Sequence, residues 1–112
     1  MMRRETIRVL VLGRFEARWQ AVMAAIDGCP TLKVAAADHT VDVIVELRHP
    51  QEWRKLPRGK RFPAVVVMPQ EMSPCSKDEA LSFHADAFVE DVDHLVDAII
   101  KAHHARKHQK SA

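Results

Sequence analysis

Residues 7–12 are apolar apart from Arg8, Gly13 closes the run, and Phe15, Trp19, Val22, Met23 and Ile26 then recur at spacings of three and four. The first pattern is that of a strand buried on both faces. The second is one face of an amphipathic helix. Gly28 closes that helix, and Cys29-Pro30 forbids its continuation. A strand that passes directly into a helix is the opening of an α/β fold.

Further units of the same kind follow. Residues 31–38 read as a second strand centred on Leu32, Val34 and Ala35. Residues 64–68 read as a buried strand ended by Pro69, and residues 86–90 as a short last strand around Ala87, Phe88 and Val89. Ser76, with Glu79 three residues on, has the spacing of a capping box and starts a helix. Asp93 starts the final helix, with Leu95, Val96, Ile99, Ile100 and His103 inward.

Residues 40–48 fit two patterns. Val41, Val43, Val45 and Leu47 alternate with Asp42, Ile44 and Glu46, which is strand-like. On a helical wheel Asp42 and Glu46 share one side, and Thr40 caps the helix. About three residues separate this segment from the second strand, whereas a parallel crossover takes roughly a dozen or more. That favours a helix and a regular β-α-β-α order. The alternative is a hairpin, with a ferredoxin-like β-α-β-β-α-β core and an added C-terminal β–α unit. The favoured reading is a single α/β domain over residues 1–112, a mainly parallel sheet of four or five strands flanked by helices, with residues 1–6 and 105–112 flexible.

The longest apolar runs are far too short to cross a bilayer. The start, Met1-Met2-Arg3-Arg4-Glu5, does not read as a signal peptide, so the cytoplasm is the expected compartment. In a reducing compartment Cys29 and Cys75 are expected as free thiols. Net charge is only +2 but unevenly spread: residues 48–61 hold six basic residues and one acid, and residues 70–97 hold eight acids and one lysine. Such asymmetry points to a partner or to self-association between opposite patches.

His84-Ala85-Asp86-Ala87-Phe88-Val89-Glu90-Asp91, running into Leu95-Val96-Asp97-Ala98-Ile99, resembles the final turn, strand and helix of the receiver domain of bacterial response regulators. Residues 7–13 and their helix have the length of a receiver's first unit, and Ala36-Ala37-Asp38-His39 with Val43-Ile44 and Leu47 resembles its second. The resemblance implies a flavodoxin-like fold about one β–α unit short. It also implies a degenerate phosphorylation site. Gly13-Arg14 stand where a receiver carries the acid pair that holds magnesium, and Asp91 stands where it carries a lysine. The phosphate-accepting aspartate falls on Met68 or Pro69 if residues 64–68 are the third strand, and on Glu46 if residues 41–47 are. In either alignment ordinary aspartyl phosphorylation is not expected, because the ion that offsets charge in phosphoryl transfer has no carboxylates to hold it.

Other chemistry has little support. His104 and His108 lie four apart, but two imidazoles fall short of a closed zinc site. The chain has three glycines and no phosphate-cradling loop. No cofactor or small-molecule substrate is expected. The expected role is a non-catalytic, receiver-like interaction or regulatory module that binds a protein or a second copy of itself. Trp53, Arg54, Lys55, Arg58 and Arg61 supply aromatic and guanidinium anchors, and Phe88 and Asp91 mark a second face, the one receivers use near their last strand and helix. Two alternatives stand beside it. The basic segment 48–61 could bind nucleic acid through phosphate contacts and stacking, or the chain is a small α/β enzyme with an unrecognised site.

Overall fold

The computed structural model describes residues 6–14, 17–35, 40–48, 63–68 and 85–111. One sheet is built from β1 (Ile7–Leu12), β2 (Leu32–Val34), β3 (Val43–Glu46), β4 (Ala64–Val67) and β5 (Ala87–Phe88). Its order is β2-β1-β3-β4-β5, and every pairing is parallel. This is the flavodoxin-like strand order, with a reversal of direction between β1 and β3. Helix α1 (Trp19–Asp27) follows β1. After β5, a 3₁₀ turn (Val92–His94) leads into α2 (Leu95–Ser111).

Alternation along the strands sends residues to two faces. Val9, Val11, Val43, Val45 and Val66 pack with Val22 and Ile26 of α1 and Leu95, Ile99 and Ala102 of α2. On the opposite face Ile44, Val65 and Val67 form a smaller cluster with Leu10, Leu12 and Phe88 beside it. All four residues of β3 and all four of β4 are buried, as central strands covered on both faces require.

The helix expected over residues 40–48 is instead strand β3. The hairpin alternative, with its ferredoxin-like core, is also excluded, because β3 runs parallel to β1 on the side away from β2. The reason lies in the brevity of β2. It stops at Val34, opposite Val9, and β3 starts at Val43, also opposite Val9. Ala35 N–H donates to Val9 O, and Asp42 N–H donates to Arg8 O. The chain therefore leaves β2 and enters β3 at nearly the same height on β1. It has only to pass one strand, about 10 Å across, and not to descend the length of a sheet. The dozen-residue rule presumes full-length strands. With five strands present, the chain is not a β–α unit short in its sheet; its economy is the passage between β2 and β3.

Helix α1 begins at Trp19, later than the pattern after Gly13 suggests, and residues 17 and 18 are turn. Gly13 itself has φ 112°, a conformation side-chain-bearing residues rarely adopt. Gly28 ends α1 in the right-handed region, with its N–H bonded to Ala24 O. Cys29 is a free thiol, 3.2 Å from Thr31 Oγ1. Cys75, the helix expected from Ser76 and the basic loop lie outside the described residues. Among the described residues no helix is long and apolar enough to cross a membrane.

Candidate functional site

Ligands of open parallel sheets bind in the crevice beyond the carboxyl ends of the strands. Here Glu46 closes β3 between Leu12 of β1 and Val67 of β4. Leu47 N–H donates to Leu12 O at 2.9 Å and Met68 N–H to Glu46 O at 2.9 Å, so the ladder holds the rim on both sides of Glu46. Since β3 is the third strand and residues 64–67 the fourth, Glu46 occupies the end of the third strand; Met68 follows β4 and is fully buried.

Glu46 is 0% exposed. A carboxylate taken out of water is costly unless each oxygen is answered. Arg48 answers both. Its Nε lies 2.9 Å from Oε1 and 3.1 Å from Oε2, and its Nη2 lies 2.8 Å from Oε2. Its backbone N–H also donates to Oε1 at 2.6 Å. This is the bidentate fork that makes guanidinium–carboxylate pairs strong and directional. The Arg48 side chain remains 30% exposed, so the pair is buried at its acidic end and wet at its basic end.

The neighbouring end of β1 offers Gly13 and then Arg14, which is exposed. Arg18, at the start of α1, donates from Nη1 to Glu90 O at 3.0 Å and so ties α1 to the exit of β5. Asp91 caps the 3₁₀ turn: its Oδ1 accepts from His94 N–H at 3.1 Å and lies 2.7 Å from His94 Nδ1. The hydrogen bond from His94 holds the Asp91 carboxyl below the usual range, and the same bond, with the negative charge behind it, raises His94 above the ordinary imidazole value.

The described residues do not fit the divalent cation that the receiver resemblance implies. Of them, Gly13 and Arg14 at the end of β1 supply no carboxylate, and both oxygens of Glu46 are engaged by Arg48. Among the described residues no three His, Cys, Asp or Glu side chains gather as metal ligands.

An open groove of about 630 Å³ runs between β5 and α2, and Phe88, Glu90, Asp91, His94, Asp97 and Lys101 lie along it. It brings together two of the expected partner residues, Phe88 and Asp91. The others, Trp53, Arg54, Lys55, Arg58 and Arg61, lie outside the described residues, as does Pro69.

Sequence reasoning missed Arg48 as the partner of Glu46, although a signal was available. Residues two apart on an extended chain share a face, and an acid ending an apolar strand needs a counter-charge. It also missed Arg106, whose Nε lies 3.0 Å from Asp86 Oδ1 and locks α2 to the start of β5. A separation of twenty residues left no local pattern to find.

No protein-family model matches the chain, and no curated protein matches it. In structure it is similar to a DNA-binding response regulator of the LuxR family from Staphylococcus aureus. The two share 16% sequence identity at a TM-score of 0.65, over 87% of this chain and 98% of that one. The strand order, the two-faced core and this likeness together give the chain a receiver-like, flavodoxin-like α/β fold.

Proposed function

We propose that the chain is a regulatory module of the cytoplasm that acts by binding a protein partner, catalyses no reaction and is not phosphorylated on aspartate. The observation that carries this reading is the state of the rim. The carboxylate at the end of β3 is buried against its own arginine, and the adjacent strand end presents Gly13 and Arg14. Neither arrangement holds a metal ion or leaves an acidic oxygen free to attack phosphorus.

Two surfaces support a binding role. The β5–α2 groove combines Phe88 with Glu90, Asp91 and Asp97 and suits a partner that brings an apolar contact and basic groups. The segment 48–61, with Trp53, Arg54, Lys55, Arg58 and Arg61, carries the opposite charge and suits an acidic partner or the groove of a second copy. The similar solved protein is named as DNA-binding, and the same basic segment is where nucleic acid would meet this chain.

Affinity capture from native lysate tests this with the wild-type chain, Trp53→Ala/Arg54→Ala and Phe88→Ala, with and without nuclease. A recurring, nuclease-resistant protein lost in one of the variants, or self-association by sedimentation that either variant abolishes, supports the module. Capture abolished by nuclease replaces it with a nucleic-acid binder, whose affinity falls steeply with salt. Incubation with acetyl phosphate and magnesium leaves the intact mass unchanged. A base-labile adduct of phosphate mass on a carboxylate overturns the claim.

A further inference from the structure

We infer that the Arg48 guanidinium is a built-in counter-cation for Glu46, which makes the rim independent of divalent metal and holds it in one state. This rests on the reading of the chain as a module that is not phosphorylated, and it adds the physical device responsible.

The geometry carries the inference in three steps. A fully buried carboxylate at the carboxyl end of a central strand needs a positive charge, because its solvation is gone. One residue supplies that charge to both oxygens, in bidentate form, from two positions along the same chain. The same residue's backbone N–H closes on Oε1 at 2.6 Å, so the turn leaving β3 and the side-chain pair fix each other. An external cation is left with no open oxygen on Glu46. The neighbouring Arg14 and Gly13 add none, and Arg14 adds repulsion. A ligand without differential affinity for two states of a protein shifts no equilibrium between them. Magnesium therefore finds no handle on Glu46, and the end of β3 is held in one state.

Three variants test the device: Arg48→Met, Glu46→Gln and the double variant, compared by thermal unfolding and by Mn²⁺ broadening of amide resonances. In the wild-type chain, residues 12–14 and 46–48 show no specific Mn²⁺ broadening, and millimolar Mg²⁺ leaves the melting temperature unchanged. Arg48→Met strands the carboxylate: its melting temperature falls by roughly 10 °C and rises with added Mn²⁺. The double variant regains most of the loss and does not respond to Mn²⁺. Where Arg48→Met does not fold, a folded double variant gives the same answer.

The inference is overturned by wild-type broadening at residues 46–48, by equal stability of Arg48→Met and the double variant, or by failure of both to fold. An acetyl phosphate adduct on the wild-type chain instead overturns the proposed function. An absence of coupling between Glu46 and Arg48, with no adduct, leaves the proposed function standing and removes only the device.

Discussion

The two ends of the sheet treat acids differently. At the amino ends, Asp42 stands one residue before β3 and Asp86 one residue before β5, and each makes the same closed ring with its neighbour strand. Asp42 N–H donates to Arg8 O at 2.8 Å while its Oδ2 accepts from Arg8 N–H at 2.9 Å. Asp86 N–H donates to Val65 O at 2.8 Å while its Oδ2 accepts from Val65 N–H at 2.8 Å. At the carboxyl end, Glu46 is answered by a guanidinium and by a backbone N–H only because the chain turns back at Arg48. The difference follows from the polarity of parallel strands. Their amino ends present N–H groups that welcome a carboxylate, whereas their carboxyl ends present carbonyl oxygens that do not. An acid at the first end is architecture; an acid at the second end needs a cation.

The largest effect is expected where the cation is removed. Breaking a buried pair from its basic side typically costs about 3–5 kcal/mol. With Arg48 30% exposed, we place Arg48→Met near the bottom of that range, at about 3 kcal/mol. Urea unfolding measures it, and a loss below that of Asp86→Ala would dissolve the contrast between the two ends.

Asp86→Ala comes next. It strands a Val65 N–H in a central strand and releases Arg106 from a partly buried pair. Together these cost about 2–3 kcal/mol. Hydrogen exchange locates the damage: the Val65 amide and the last turns of α2 should lose protection together. Protection kept in α2 would show that Arg106 does not anchor the helix. Asp42→Ala removes the same ring near solvent, without an arginine, and should cost about 1 kcal/mol. Equal losses at Asp42 and Asp86 would mean that the ring carries the energy and the ion pair none.

These features differ in how well the sequence displays them. The opening unit is legible because burial on both faces demands the unbroken run in β1, and α1 then changes period at once. Strand β3 is not, because Val41 to Leu47 satisfy period 2 and a broad helical arc equally well. The connection rule that breaks the tie toward a helix is one that a three-residue β2 does not obey. Of the rim, Gly13, Arg14 and Glu46 can be placed from the strand ends. What Glu46 does with its charge is legible only in part: the two-residue spacing to Arg48 offers a counter-charge on the same face, whereas the closing hydrogen bond from the Arg48 N–H leaves no periodic trace. The ring at Asp42 and Asp86 is likewise a cross-strand pairing, visible only once the register is known.

The smallest effect probes a third acid, Asp91, which also lies beyond a strand's carboxyl end but is met by an imidazole in full solvent. Asp91 titrates below its ordinary value, so its contribution is complete above about pH 4 and is lost as pH falls through the lowered folded value. His94 titrates above its ordinary value, so its contribution is complete below about pH 6.5 and is lost as pH rises through the raised folded value. The pair is therefore fully formed only between those limits, and it weakens toward neutrality through the imidazole alone. In an NMR titration, Asp91→Asn should lower the His94 midpoint, with a residual upward pull from Asp93 and Asp97. Added salt should shrink the difference between the two proteins, because both groups are exposed. An unchanged midpoint would mean that the 2.7 Å contact is not kept in solution, and among the described residues it would leave Glu46 as the acid at this end of the sheet whose charge is answered by a side chain.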